Sequence, residues 1–215
     1  MTLIVSGIGT DVGKTVVSAI LCEALKADYW KPIQAGDLIF SDSSKVRDFL
    51  DARNDLTIWP EAYRLSQPLS PHAAAERDGV TISLEVLSAA QPDEQALRDR
   101  HLVIELAGGL MVPLSQSLST IDLIKQLSLP VVLVANYYLG SINHTLLSLH
   151  LLKDLDVSVL GVVFNGKPNV ESRDVILAQG GVELLAEIPH SEPLDRPFIK
   201  THAETIRQHP AMARL

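Results

Sequence analysis

A glycine-rich segment near the start of the chain constrains the fold more than any other feature. It reads Gly7-Ile8-Gly9-Thr10-Asp11-Val12-Gly13-Lys14-Thr15. An apolar run at residues 3–5 precedes it, and a helix-forming segment at residues 16–27 follows it. This order predicts a strand, a tight loop and a helix. Backbone N–H groups of such a loop can surround phosphate oxygens, and the helix directs its positive end at them. We therefore expect a phosphate site at this turn.

Two side chains in this segment suit nucleotide chemistry. Lys14 can neutralise charge on the β- and γ-phosphates, and the hydroxyl of Thr15 can hold Mg²⁺. The motif is a variant of the usual P-loop, because Ile8 stands where the first glycine is expected and the loop opens at Gly7 instead. The strand before the loop and the helix after it supply the context that the motif requires. A glycine-rich turn that binds no ligand is the structural alternative.

Composition favours one compact enzyme-sized domain over residues 1–215. The chain is 47% hydrophobic and only 20% charged, so it can bury a sizeable core. Its net charge is −8, and no cluster of lysine and arginine stands out. This balance predicts that neither nucleic acid nor a membrane is a partner.

The sequence also bears on the location of the protein and on whether it can form disulfides. The sequence shows no basic-then-apolar leader and no apolar run of membrane-spanning length, so we expect a cytoplasmic protein. The single cysteine, Cys22, falls in the first predicted helix, where we expect a small buried hydrophobe. One cysteine excludes a disulfide within the chain.

Short apolar strands alternate with helices along the sequence. We predict strands at residues 3–6, 29–31, 102–105, 130–135, 158–164 and 183–188, and helices at residues 14–27, 44–52, 84–90, 93–100, 120–127, 142–154 and 170–179. Strands that are apolar almost throughout are covered on both faces. The pattern therefore predicts an α/β fold, with a doubly wound, mostly parallel sheet, helices on both faces and a P-loop NTPase-like arrangement.

Ligands of such a sheet bind beyond the carboxyl ends of its strands. Lys14, Lys31, Glu105 and Asn165 are polar residues expected at that edge. Lys31 as a solvated surface lysine and Glu105 as an ion-paired or capping acid are the structural alternatives. Asp42 precedes a helical segment, and its local sequence predicts that it is the N-cap of that helix.

Further segments follow the glycine loop in a fixed order. They are Trp30-Lys31-Pro32-Ile33-Gln34-Ala35-Gly36, Ser41-Asp42, Ser70-Pro71-His72, Glu105-Leu106-Ala107-Gly108-Gly109, Pro113-Leu114-Ser115, Leu139-Gly140-Ser141-Ile142-Asn143-His144, Asn165 and Glu187-Ile188-Pro189. Together with the loop they resemble the dethiobiotin synthetase family, from the start of the chain to about Pro189. The segments at Lys31 and Asn143 separate that family from other P-loop enzymes.

The resemblance implies a ligase of the cyclo-ligase subclass that acts in biotin biosynthesis. In that family, 7,8-diaminononanoate takes up CO₂ as a carbamate, and a carbamate oxygen attacks the γ-phosphate of ATP in the presence of Mg²⁺. The second amine then closes the ureido ring of dethiobiotin. The resemblance implies these small molecules as partners, and a homodimer whose interface includes the segment Gly140-Ser141-Ile142-Asn143.

The resemblance also assigns candidate site residues. Lys14 and Lys31 would be catalytic, and Thr15, Asp42 and Glu105 would be associated with Mg²⁺. The nucleotide would contact Thr10, Asp11, Val12, Gly13, Lys14, Thr15, Val16, Asn165 and Pro189. The organic substrate would contact Ala35, Gly108, Gly109, Ser141 and Asn143.

Three positions differ from the common pattern of the family. Ala35 replaces a hydroxyl residue, Leu106 replaces a glycine, and Tyr138 stands where a basic residue is frequent. All three fall in the expected organic-substrate region, outside the phosphate and metal positions. We expect His72 and His144 to be structural, and the segment 190–215 carries no motif.

Two other functions are open to a chain of this kind. One is a ParA- or MinD-like ATPase, which carries a lysine near the start of its loop, where this chain has Ile8 and Gly9. The other is a nucleotide-binding module that has lost catalysis.

Overall fold

The computed structural model describes residues 2–51 and 53–212. Its strands are β1 (Thr2–Gly7), β2 (Asp28–Trp30), β3 (Ile33–Ala35), β4 (Ile58–Trp59), β5 (Tyr63–Leu65), β6 (Leu102–Gly109), β7 (Val131–Asn136), β8 (Val159–Asn165) and β9 (Leu184–Ile188). Its helices are α1 (Lys14–Leu25), α2 (Asp42–Phe49), α3 (Pro71–Arg77), α4 (Leu84–Ala90), α5 (Glu94–Leu97), α6 (Thr120–Leu127), α7 (Ser141–Asp154), α8 (Val170–Gly180) and α9 (Arg196–Arg207).

Seven strands form one sheet in the order β4-β2-β6-β1-β7-β8-β9, and β3 and β5 form a second, two-stranded sheet. All pairings between these strands are parallel within the part of the chain that the structure describes. The central strand β1 pairs with β6 on one side and with β7 on the other. The direction of winding reverses here, and a doubly wound sheet opens its ligand crevice at such a point.

Successive side chains of β1 enter different cores, because side chains of a strand alternate between its faces. Leu3 and Val5 are buried with residues of α1, α2 and α9, whereas Ile4 is buried with residues of α3, α4, α6 and α7. Helices therefore cover both faces of the sheet. This arrangement confirms the doubly wound α/β fold predicted from the sequence.

The six strands predicted from apolar runs are all present, with ends that move by up to four residues. Helix α1 ends at Leu25, two residues earlier than predicted, because Lys26 adopts a left-handed conformation. The predicted helix at 44–52 is α2, which begins at Asp42 and ends at Phe49; residue 52 lies outside the described residues. The predicted helix at 93–100 shortens to α5. As predicted, Cys22 is buried, and burial raises the pKa of its thiol.

Five elements were not predicted: β3, β4, β5, α3 and α9. The three strands are only two or three residues long, which is too short for a periodic apolar pattern. Helix α9 lies in the segment that carried no motif, although Asp195 caps it through a bond from the Phe198 amide. The expectation of a single domain over residues 1–215 stays a prediction, and the structure describes residues 2–51 and 53–212. In that part, every helix is too short or too polar to cross a membrane.

Helix α9 completes the core around α1. Ile206 is fully buried there, in the cluster that also contains Cys22. We predict that Ile206→Ala lowers the free energy of unfolding by about 2–5 kcal/mol, because it removes packed methylene groups and leaves a cavity. Lys200→Ala, on the exposed side of the same helix, should change it by less than about 0.5 kcal/mol. Denaturant titration measures both, and equal effects would contradict the placement of α9.

Candidate active site

A cavity of about 870 Å³ lies at the carboxyl edge of the large sheet. The glycine loop, the residues after β2, the start of α2 and the middle of β6 all border it. The predicted site residues that line it are Thr10, Asp11, Gly13, Lys14, Thr15, Val16, Lys31, Ala35, Asp42, Glu105 and Gly108. Residues separated by nearly a hundred positions in sequence thus share one cleft.

The glycine loop is held in a conformation that only glycine suits at its last turn. Gly13 has φ +94°, and a Cβ there would lie 1.9 Å from Nδ2 of Asn165. That amide donates a hydrogen bond to the Val12 carbonyl oxygen at 3.1 Å. The end of β8 therefore braces the loop from behind. Because Gly13 has no side chain to cap α1, the first amides of the helix are available to an anion.

Lys14 projects from the first residue of α1 and is buried. Its ammonium donates a hydrogen bond to the Gly9 carbonyl oxygen at 2.7 Å. Burial lowers its pKa to about 8, although the negative charge of Glu105 acts in the opposite direction. A phosphate anion in the loop would offset that cost of burial, because an adjacent negative charge favours the protonated lysine.

Lys31 joins the two acidic residues of the cleft. Its Nζ lies 3.0 Å from Oε1 of Glu105 and also donates to Oδ2 of Asp42. Burial alone would lower the pKa of Lys31, but the two carboxylates raise it. Burial opposes ionisation of Asp42 as well, yet Lys31 and Lys45 lower the pKa of that carboxyl to about 2. Lys31 is therefore not a solvated surface lysine, and both members of the Lys31–Asp42 pair are charged near neutral pH.

Glu105 is only 1% exposed and accepts three hydrogen bonds. Its Oε1 accepts from Thr15 Oγ1 and from Lys31 Nζ, each at 3.0 Å, and its Oε2 accepts from the Tyr29 hydroxyl at 2.9 Å. The residue lies within β6 and not at the strand end that was predicted, because β6 continues to Gly109. The carboxylate is thus ion-paired and also faces the phosphate loop through Thr15.

Asp42 is not the N-cap of α2, so that prediction was wrong. Ser41 occupies the cap position, and its hydroxyl accepts a bond from the Ser44 amide at 3.3 Å. Serine caps helices about as well as aspartate does, so the local sequence did not separate the two. As the first residue of α2, Asp42 directs its carboxylate to Lys31 and Lys45 at the edge of the cleft.

The side chains predicted to associate with Mg²⁺ form a connected set. Thr15 contacts Glu105 directly, and Lys31 links Glu105 to Asp42. Within residues 2–51 and 53–212, no group of three histidine, cysteine or acidic residues could hold a metal by itself. Mg²⁺ takes two carboxylates or fewer and completes its shell with water and phosphate oxygens. The donors present are all oxygen atoms, so they fit Mg²⁺ bound together with a nucleotide.

Several predicted residues lie elsewhere in this chain. Gly109 packs against the glycine loop, where a Cβ would lie 3.3 Å from the Gly9 amide nitrogen. Ser141 is buried at the start of α7, whereas Asn143 and Pro189 are exposed. None of these residues lines the 870 Å³ cavity, so their roles stay predictions.

Both histidines noted in the sequence bond to neighbours close in the chain. Nδ1 of His72 lies 3.0 Å from Ser70 Oγ, and Nδ1 of His144 lies 2.6 Å from the Tyr138 hydroxyl. Their structural role stays a prediction.

Comparison with known proteins gives the family. The chain is 46% identical to the ATP-dependent dethiobiotin synthetase BioD of Christiangramia forsetii, over 95% of each chain. It is also 46% identical to the protein of the same name from Cytophaga hutchinsonii, over 93% of each. The corresponding protein of Nitrobacter hamburgensis is 44% identical, over 92% of this chain and 90% of that one. This chain belongs to the dethiobiotin synthetase family. Residues 1–198 also match the family described as AAA domain.

Solved structures similar to this chain include partition and cell-division ATPases. A plasmid partition protein from Borrelia burgdorferi has a TM-score of 0.61 at 12% identity, covering 99% of this chain and 98% of that one. The cell division ATPase MinD of Pyrococcus furiosus has a TM-score of 0.56 at 17% identity, covering 96% and 98%. At such low identity the likeness shows the P-loop NTPase fold alone. The ParA- or MinD-like alternative therefore has support only at the level of the fold.

Some residues that border the 870 Å³ cavity were not predicted from the sequence. Lys45 lies one turn after Asp42 and bonds to its Oδ1 at 3.1 Å, and the three-residue spacing on a helix could have indicated it. Phe49, Leu69 and Leu194 add apolar surface. Leu194 reaches the cleft from the segment after β9, and the local sequence offers no signal for that.

The geometry of Gly13 gives a test of the loop. We predict that Gly13→Ala weakens ATP binding by at least about tenfold, because the new Cβ would overlap Asn165 and strain the backbone. Gly181→Ala is the matched control, since Gly181 also has a positive φ, of +60°, but has open space around it and lies outside the cleft. Isothermal titration calorimetry with ATP measures the affinity of both variants. Equal affinities of the two variants for ATP would contradict a nucleotide-binding site at this loop.

Proposed function

We propose that this chain is an ATP-dependent dethiobiotin synthetase that closes the ureido ring of dethiobiotin from 7,8-diaminononanoate and CO₂, as a carbon–nitrogen cyclo-ligase. The observation that carries the proposal is the cluster of Lys14, Thr15, Lys31, Asp42 and Glu105 at one cleft. Two lysines and two acids beside a phosphate loop suit phosphoryl transfer, which depends on positioning and charge neutralisation. The identity of 44–46% to proteins of that name supports the same activity.

One amine of the substrate first adds to CO₂ and loses a proton, which gives the carbamate, and two bond-forming steps then remain. A carbamate oxygen of the substrate attacks the γ-phosphorus of ATP, and ADP leaves with the electron pair of the broken bond. The second amine then attacks the carbonyl carbon of the mixed anhydride, and phosphate leaves. Lys14 and the first amides of α1 would hold the phosphates during the first step.

Mg²⁺ is proposed as the resident metal, held by Thr15, Asp42 and Glu105. When bound, it would neutralise charge on the phosphate oxygens. Lys31, which is paired with Asp42 and Glu105, would act on the same phosphates. Because both acids keep Lys31 protonated, its positive charge is available throughout the neutral pH range.

The remaining wall of the cleft suits a hydrocarbon chain. Ala35, Leu69 and Val112 line it beside the polar cluster. Gly108, with φ +63°, also lines this wall, and a Cβ there would overlap the Val112 side chain. An aliphatic diamine would bury apolar surface here while its amine end lies near the phosphates.

A homodimer is part of the proposal. Tyr138, Leu139, Ile142 and Leu147 are exposed apolar or aromatic side chains around the start of α7. Exposed apolar patches of this kind favour protein association. A second subunit packed on this surface would bring Ser141 and Asn143 into an interface, in keeping with their proposed contact with the substrate carboxylate. A cytoplasmic location is proposed because the reaction consumes ATP.

The deciding experiment measures product. Purified protein is incubated with ATP, Mg²⁺ and bicarbonate, with and without 7,8-diaminononanoate. We expect phosphate release that requires the diamine, and dethiobiotin detected by mass spectrometry in equimolar amount. Phosphate release that ignores the diamine would contradict the synthetase, and nucleotide binding without turnover would favour the non-catalytic module.

Lys31 offers a sharper test of the mechanism. We predict that Lys31→Ala lowers kcat by at least about 100-fold, because it removes a fixed positive charge from the transferred phosphoryl group. ATP affinity should change little, since Lys14 and the loop amides remain. Lys200→Ala, an exposed lysine outside the cleft, is the control and should keep full activity. Steady-state kinetics with ATP titration separate the two parameters, and unchanged kcat in Lys31→Ala would remove this lysine from the mechanism.

A further inference from the structure

Tyr29 contacts the proposed metal site from inside the protein. It lies on β2, where it pairs with Val103 of the neighbouring strand β6, and its side chain is fully buried. Its hydroxyl donates to Oε2 of Glu105 at 2.9 Å. Neither composition nor the resemblance pointed to this residue.

We propose that Tyr29 is a positioning residue whose hydroxyl fixes the rotation of the Glu105 carboxylate for metal binding. With Oε2 held by the phenol, Oε1 faces Thr15 and Lys31, the side chains that border the phosphate cleft. Partners that hold a metal ligand by hydrogen bonds orient it and contribute to metal affinity. The inference rests on the proposed role of Glu105 in holding Mg²⁺.

The direction of this hydrogen bond is fixed. A phenol carries a proton at neutral pH and an ionised carboxylate can only accept, so Tyr29 donates and Glu105 accepts. A tyrosine ring has few rotamers, and because Tyr29 is fully buried, the residues packed around it hold it in one of them. The donor is therefore a rigid reference point, in contrast to the long side chain of Lys31.

A plain structural role would be the satisfaction of a buried carboxylate. The two roles differ in what the hydroxyl affects. A structural hydrogen bond changes the stability of the fold, whereas a positioning hydrogen bond changes the affinity for the metal even in protein that is fully folded.

The test compares Tyr29→Phe with Tyr63→Phe. The Tyr63 hydroxyl is also hydrogen-bonded, since it donates to the Thr81 carbonyl oxygen and accepts from the Ser83 amide, but it lies outside the cleft. Mn²⁺ serves as a paramagnetic substitute for Mg²⁺. Its binding to the complex of the protein with ADP is measured at low temperature by electron paramagnetic resonance. We expect Tyr29→Phe to weaken Mn²⁺ binding by about tenfold, as losses of such orienting partners do. Tyr63→Phe should leave it unchanged, and ADP binding without metal should be unchanged in both.

A double variant tests whether Tyr29 acts through Glu105. Glu105→Gln should weaken Mn²⁺ binding by itself, and adding Tyr29→Phe should then have almost no further effect, because the orienting bond has no carboxylate left to act on. Additive losses would overturn the proposal. Metal affinity equal to that of the parent protein in Tyr29→Phe would also overturn it, even if the variant melts at a lower temperature.

A second measurement covers the case in which Tyr29→Phe does not fold. Site-specific 3-fluorotyrosine at position 29 keeps the hydroxyl, and its fluorine NMR resonance should shift when Mg²⁺ is added to the ADP complex. A resonance that does not move on metal binding would overturn the proposal. None of these measurements needs the diamine, so absence of dethiobiotin formation would refute the proposed function without deciding this inference.

Discussion

The cleft depends on one buried ammonium group, that of Lys31, held between the carboxylates of Glu105 and Asp42. Charges taken out of water are costly unless each is paired and hydrogen-bonded. Here the pairing joins the end of β2, the start of α2 and the middle of β6. The three segments come from separate parts of the sequence, so the charge cluster also fixes how they meet. Thr15 extends the cluster to the glycine loop through Glu105.

The fold was largely predictable because its causes are local. Runs such as residues 130–135 are apolar throughout, and the glycine loop ties the first strand to the first helix. The same reasoning placed Lys14, Lys31 and Glu105 at one edge, because parallel strands end together. The short strands β3 to β5 were not predictable, since two or three residues carry no period.

Contacts between segments that are distant in the sequence could not be predicted from it. Tyr29 reads as an ordinary buried aromatic on a strand, and its bond to Glu105 exists only because β2 and β6 are neighbours. Leu194 enters the cleft from a segment with no recognisable pattern. Asp42 shows a different limit of prediction. Ser41 and Asp42 are equally good N-cap residues by local sequence, and only in the folded structure does Ser41 cap α2 while Asp42 pairs with Lys31. Local chemistry thus predicted the residue types of the site better than their partners.

Helix α9 has a consequence for how the protein is made. Arg207 donates to the Ala24 carbonyl oxygen at 3.0 Å, a contact that joins the last described helix to the helix of the phosphate loop. During synthesis, α1 leaves the ribosome well before α9, because the two contacting residues lie 183 positions apart in the sequence. Contacts of such long sequence separation form late in folding. Helix α1 therefore lacks its final packing until α9 has been translated.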